Sequence, residues 1–130
     1  MGNNLQNLDI NWSSKTILVV EDDRFNAIIL TSFIEKTKAR CKIANNGEEA
    51  ISLALSLKPD IILMDIKMPG ITGFEATSRI KRELPHTIVI AQTAFATEFD
   101  KETILNSGFD DFIAKPIRFD KLISVLAKFM

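Results

Sequence analysis

The sequence predicts an α/β fold, a doubly wound parallel sheet of five strands with helices on both faces. From Lys15 onward, short apolar runs alternate with longer stretches of helical period, the pattern of repeated β-α units. Several of those runs, Ile61-Ile-Leu-Met64 above all, are unbroken apolar rather than alternating, as strands buried on both faces must be. Thr16–Val20 is the first expected strand and Asn26–Thr37 the first helix. Cys41–Ala44 and Glu48–Leu57 follow, the helix carrying Ala50, Ile51, Ala54 and Leu57 at helical spacing. Ile61–Met64 then leads to Gly73–Leu84, Thr87–Ala91 to Glu98–Asn106, and Phe112–Ala114 to Asp120–Phe129. Gly47 before the second helix, Gly108 after the fourth and Asp120 at the head of the fifth supply the punctuation. Residues 1–14 are rich in Asn and lack an apolar period. They are expected to form an arm or linker that Trp12 pins to a domain of residues 15–130.

Composition narrows the function. At 130 residues and 46% hydrophobic content the chain buries one core and has no room for a second folded domain. The formal net charge of -1, with both signs mixed, gives no basic stripe, so this domain is not expected to bind nucleic acid. One cysteine, Cys41, excludes an internal disulfide and a multi-cysteine metal site and suits a reducing compartment. No apolar run approaches the roughly 18 residues of a membrane span, and the first fourteen residues lack the layout of a signal peptide. A cytoplasmic domain without membrane contact is expected. Met1-Gly2 opens a myristoylation pattern, but Gln6 stands where that pattern requires Ser or Thr.

An open parallel sheet binds its ligands in the crevice beyond the carboxyl ends of its strands. Glu21, Asp22 and Asp23 follow the first strand, Asp65 the third, Thr93 the fourth, and Lys115-Pro116 the fifth. Carboxylates gathered on one edge repel one another at neutral pH unless a cation or a proton lies among them. With no His or Cys nearby, hard oxygen ligands point to magnesium, which favours one or two carboxylates together with a phosphate. Thr93 and Lys115 are the donor and the cation that phosphate oxygens need. A carboxylate can itself be the nucleophile in phosphoryl transfer. Asp65 sits alone at the end of the central strand and is the candidate, while the adjacent Glu21 and Asp22 hold the metal. Taken singly, Asp65 reads as a turn or capping residue, the acidic run as a helix start and Lys115 as a surface lysine. Their conjunction on one edge singles them out.

The segments Ile17-Leu-Val-Val-Glu-Asp-Asp23, Asp60-Ile-Ile-Leu-Met-Asp-Ile-Lys-Met-Pro-Gly-Ile-Thr-Gly73 and Asp110-Asp-Phe-Ile-Ala-Lys-Pro-Ile117 resemble the three signature regions of two-component response-regulator receiver domains. The resemblance covers Lys15 to the end. It implies the flavodoxin-like strand order 2-1-3-4-5, with Asp65 as phosphoacceptor, Asp22 as direct magnesium ligand, and Glu21 as a ligand acting through water. The Lys67 carbonyl becomes a further ligand, and Thr93 and Lys115 become the phosphate clamps. It also implies a cis peptide before Pro116 and a tight turn at Gly70 and Gly73. Phe112 occupies the place of a switch aromatic that is often Tyr. Lys67 and Phe95, two residues after Asp65 and two after Thr93, are expected to flank the phosphoryl group and prolong its lifetime. The run Ile90-Ala-Gln-Thr-Ala-Phe-Ala96, with the lead-in Asp9-Ile-Asn-Trp-Ser-Ser-Lys15, resembles receivers at the ends of hybrid sensor histidine kinases.

The implied partner is a histidine kinase or a histidine phosphotransfer domain. The implied role is that of a phosphoacceptor with self-catalysed phosphotransfer and dephosphorylation, not an enzyme acting on other molecules. A flavin or nucleotide domain of the same topology is disfavoured because no Gly-x-Gly or Gly-Lys-Ser/Thr motif is present. A pseudo-receiver, an interaction module without the chemistry, is disfavoured because every core position is filled. His86 follows Pro85 in a loop and reads as a structural or solvated residue, so the donor histidine is expected on the partner.

Overall fold

A computed structural model describes residues 10–94 and 97–130. Strands and helices alternate as β1 (Thr16–Val20), α1 (Arg24–Glu35), β2 (Arg40–Ala44), α2 (Gly47–Leu57), β3 (Ile61–Asp65), α3 (Gly73–Glu83), β4 (Ile88–Thr93), α4 (Glu98–Asn106), β5 (Asp111–Ala114) and α5 (Phe119–Ala127). Every strand pairing is parallel, and the order across the sheet is β2-β1-β3-β4-β5. This is the expected flavodoxin-like order.

The side-chain period of two divides the core into two layers. Leu18, Val20, Ile62, Met64, Val89 and Ala91 point one way and meet Ala50, Ala54, Ala76, Ile80 and Ile104 of α2, α3 and α4. Ile17, Val19, Ile61, Leu63, Ile90 and Ile113 point the other way and meet Leu30 and Ile34 of α1 and Leu122 and Leu126 of α5. Each of the Val, Leu, Ile and Met side chains among them contributes about 2 kcal/mol by leaving water. Trp12 packs on the second layer, and its amide donates to Thr37 O at 2.8 Å, so the end of the lead-in is fixed as expected. Among the described residues no helix is long and apolar enough to cross a membrane.

The boundaries correct the sequence reading where side-chain hydrogen bonds decide them. Helix α1 starts at Arg24 rather than Asn26 because Asp23 caps it, accepting from Phe25 N and Asn26 N. It stops at Glu35, short of Thr37, whose hydroxyl donates to Ile34 O at 2.6 Å. Asn46 caps α2, so Gly47 is the first helical residue rather than its preface. Asp120 is not the head of α5. It lies in the first turn behind Arg118, which makes no side-chain cap. Gly108 does follow α4, at φ +97°, where a Cβ would be strained.

Candidate functional site

The carboxyl ends of β1, β3, β4 and β5 converge on a cleft of about 700 Å³ lined by Glu21, Asp22, Asp65, Lys67, Thr93 and Lys115. These six expected residues therefore meet on one edge. Asp65 is the last residue of β3 and is 3% exposed, Glu21 is 1% exposed, and Asp22 faces solvent. The Asp65 carboxylate is held on both oxygens: Lys67 N donates to Oδ1 at 3.1 Å and Lys115 Nζ donates to Oδ2 at 3.1 Å. The same ammonium stands 3.2 Å from Glu21 Oε1, while Glu21 Oε2 accepts from Asp23 N at 3.2 Å. Thr93 ends β4 and is buried. The Lys115-Pro116 peptide is cis, as the resemblance implied.

Asp23 departs from the acidic run. It is spent on the α1 cap, so the helix-start reading is right for this one residue. Lys67 is exposed beside Asp65, and Phe95 lies outside the described residues. Phe112 lies half-buried on β5, with Lys101 Nζ 5.7 Å from its ring centroid. His86 lies apart, near Asp60 and Glu83 at the opposite edge of the sheet.

Two acids and one lysine in a shielded space set the electrostatics. Burial pushes the Glu21 carboxyl up to about 7, against the pull of the Asp23 amide and with the Asp65 charge adding to the rise. Burial draws the Lys115 ammonium down, but its hydrogen bond and attraction to Asp65 and the charge of Glu21 outweigh this and leave it above its ordinary value.

The donor set fits a hard divalent cation. One oxygen from each of Glu21, Asp22 and Asp65 lies within 4.8 Å of the other two. Among the described residues buried Glu21 Oε1 accepts no hydrogen bond and meets Lys115 only as an ion pair, so it has capacity for a ligand. Magnesium is accordingly expected to raise the melting temperature, since an ion that binds only the folded state adds about 2.7 kcal/mol at a hundredfold excess over Kd. Asp22→Ala should remove most of that response while melting no lower than the parent in chelator, because one like charge has gone. Thermal scans in magnesium and in EDTA check this, and an undiminished response in the variant would place the ion elsewhere.

The turn after β3 depends on a missing side chain. A Cβ on Gly73 would press on the Asp65 carbonyl oxygen and lie 2.7 Å from Ile66 Cα, both of them backbone. Gly73→Ala should therefore displace the segment carrying Asp65 and cost about 3 kcal/mol, read by urea denaturation. A loss below a few tenths of a kcal/mol would mean that the turn yields freely.

One residue at the site was not singled out from the sequence. Gln92 is completely buried beside Asp65. Its signal was available as the lone carboxamide in the apolar run Ile88-Val-Ile-Ala-Gln92.

The profile of the response regulator receiver domain family matches residues 17–127, and the chain belongs to that family, a receiver domain of two-component signalling. It is 37% identical over 118 residues to the polar-differentiation response regulator DivK of Brucella anthropi, covering 89% of this chain and 96% of that protein. The receiver domain of sensor histidine kinase PA1611 from Pseudomonas aeruginosa, solved with magnesium coordinated in its active-site cleft, has a TM-score of 0.81 and 30% identity over 88% of this chain and 96% of that one. A co-crystal structure of the Saccharomyces cerevisiae histidine phosphotransfer protein Ypd1 with the receiver domain of its downstream response regulator Ssk1 gives a TM-score of 0.82 and 29% identity, over 88% of either chain.

Proposed function

We propose that the domain accepts a phosphoryl group on Asp65 from a phosphohistidine of a histidine kinase or a histidine phosphotransfer partner. In this reading Asp22 and Asp65 hold magnesium directly, Glu21 acts through water, and the Lys67 carbonyl completes the protein's share. The observation that carries it is the meeting of three carboxylate oxygens within 4.8 Å beside an ammonium 3.1 Å from Asp65. A carboxylate oxygen of Asp65 attacks phosphorus, the bond from phosphorus to the donor imidazole breaks, and the electron pair stays on the imidazole nitrogen. Bound magnesium supplies positive charge to the phosphoryl oxygens. The Lys115 ammonium stands against Asp65 as a fixed cation, and in this reading Thr93, at the end of β4, donates its hydroxyl to the arriving group.

The receiver is taken as residues 15–130, with 1–14 as its arm. Cys41 is a free thiol, which suits the reducing cytoplasm in which we place the domain. The likeness to the PA1611 receiver supports a place at the end of a hybrid sensor kinase, and the likeness to DivK supports a free-standing regulator. The Ile90–Ala96 run favours the former, and sequencing the flanking gene region separates the two. The chemistry is tested with acetyl phosphate and magnesium, where intact mass should show a single phosphoryl adduct. No adduct from acetyl phosphate or from a phosphorylated phosphotransfer protein would make the chain a pseudo-receiver.

A further inference from the structure

The pairing of the two strands that deliver the acids ends one residue before them. The β1–β3 ladder runs from Ile17 opposite Ile61 to Val20 opposite Met64 and stops, whereas β3 and β4 stay paired as far as Asp65 opposite Gln92. The Glu21 amide turns to Ala44 O on β2 at 3.0 Å, so the Val20 carbonyl of the same peptide faces β3. A side chain meets it there. Gln92 Nε2 donates to Val20 O at 3.3 Å and to Leu63 O at 3.0 Å. Both N–H donors of the carboxamide are thereby used, and one group from β4 joins all three central strands just behind Glu21 and Asp65. Its Oε1 has no hydrogen-bond partner among the described residues, and Gln92 lines a second cleft, of about 300 Å³, with Asn26, Ile29, Lys115 and Ile117.

Burying a carboxamide is unfavourable unless it is bonded, and both bonds of this one go to the strand ends that carry the acids. We infer that Gln92 is a positioning residue: its carboxamide fixes the separation of the β1 and β3 ends, and with it the spacing of Glu21 and Asp22 from Asp65. The inference rests on the proposed function and adds to it a group that acts through the strand ends. Partners that orient metal ligands change affinity by roughly 10- to 100-fold when they are lost.

The test compares the parent with Gln92→Met, which keeps length and burial but removes both donors, and with Gln92→Leu. Ile90→Val, two residues earlier on the same face, serves as a stability control with the carboxamide intact. Magnesium affinity is measured by titration calorimetry, and amide hydrogen exchange is followed in chelator. About tenfold weaker binding is expected in both Gln92 variants, with faster exchange at the Glu21 and Ile66 amides than at the strand centres, while Ile90→Val keeps the parental Kd. A parental Kd in Gln92→Met, or equal weakening in Ile90→Val, overturns the inference. A parent that binds no magnesium overturns the proposed function instead, and the exchange of the Glu21 and Ile66 amides then decides the role of Gln92.

Discussion

Asp65→Asn is expected to abolish phosphoryl incorporation, whether the donor is acetyl phosphate or a phosphorylated protein partner. The expected result is no adduct by intact mass under conditions that modify the parent to completion. An amide oxygen carries no full charge and is a poor nucleophile at phosphorus, so the substitution removes the attacking group and leaves the surroundings in place. Asn can still accept from Lys67 N, which now donates to Oδ1 at 3.1 Å. Its loss of the ion pair with Lys115 is offset by the end of repulsion with Glu21, and Lys115 retains Glu21 at 3.2 Å. The variant should therefore fold and melt within a few degrees of the parent in chelator. Labelling at the parental rate would move the acceptor to another residue.

Lys115→Met combines a loss of rate with a loss of stability. The ammonium lies between two buried carboxylates, 3.1 Å from Asp65 and 3.2 Å from Glu21, with its own side chain 23% exposed. Removing one partner from a fully buried pair costs about 3 to 5 kcal/mol. Partial exposure and the ability of Glu21 to take up a proton lower that to about 2 kcal/mol in chelator. Magnesium should restore part of it, because a cation then returns to the same carboxylates. Phosphorylation by acetyl phosphate should slow about a hundredfold, the usual loss when a donor placed at developing charge is deleted. Urea denaturation with and without magnesium, together with the labelling time course, gives both numbers. A parental labelling rate would show that Lys115 serves the fold alone.

The site was legible because a parallel sheet leaves little choice. Once Ile17–Val20 and Ile61–Met64 are strands of one sheet, Glu21, Asp22 and Asp65 must lie on the same edge. The limits of the strands were harder to read. Arg40, Asp65, Gln92, Thr93 and Asp111 all belong to strands, yet each lies just outside an apolar run, before it or after it, and polarity does not reveal whether a backbone is still paired. Helix ends failed for a related reason: Asp23, Asn46 and Asp120 are all capping types, but only the first two accept from helical amides. Lys38 and Lys58 adopt φ of 70° and 49° where the expected residue is Gly or Asn, so no local signal marked those turns. The reach of Gln92 depends on how three strands stagger, which its own strand does not encode.

Trp12 stands at the far pole from this chemistry. It is the chain's one tryptophan, tied to Thr37 at the amino edge of the sheet, with the five residues of β1, roughly 16 Å at strand rise, between it and the acids. Its indole emission follows loss of the fold and is spectroscopically remote from ion occupancy. An unfolding curve recorded through Trp12 at rising magnesium thus yields the ion's affinity by linkage, with no label introduced at the site whose geometry is in question.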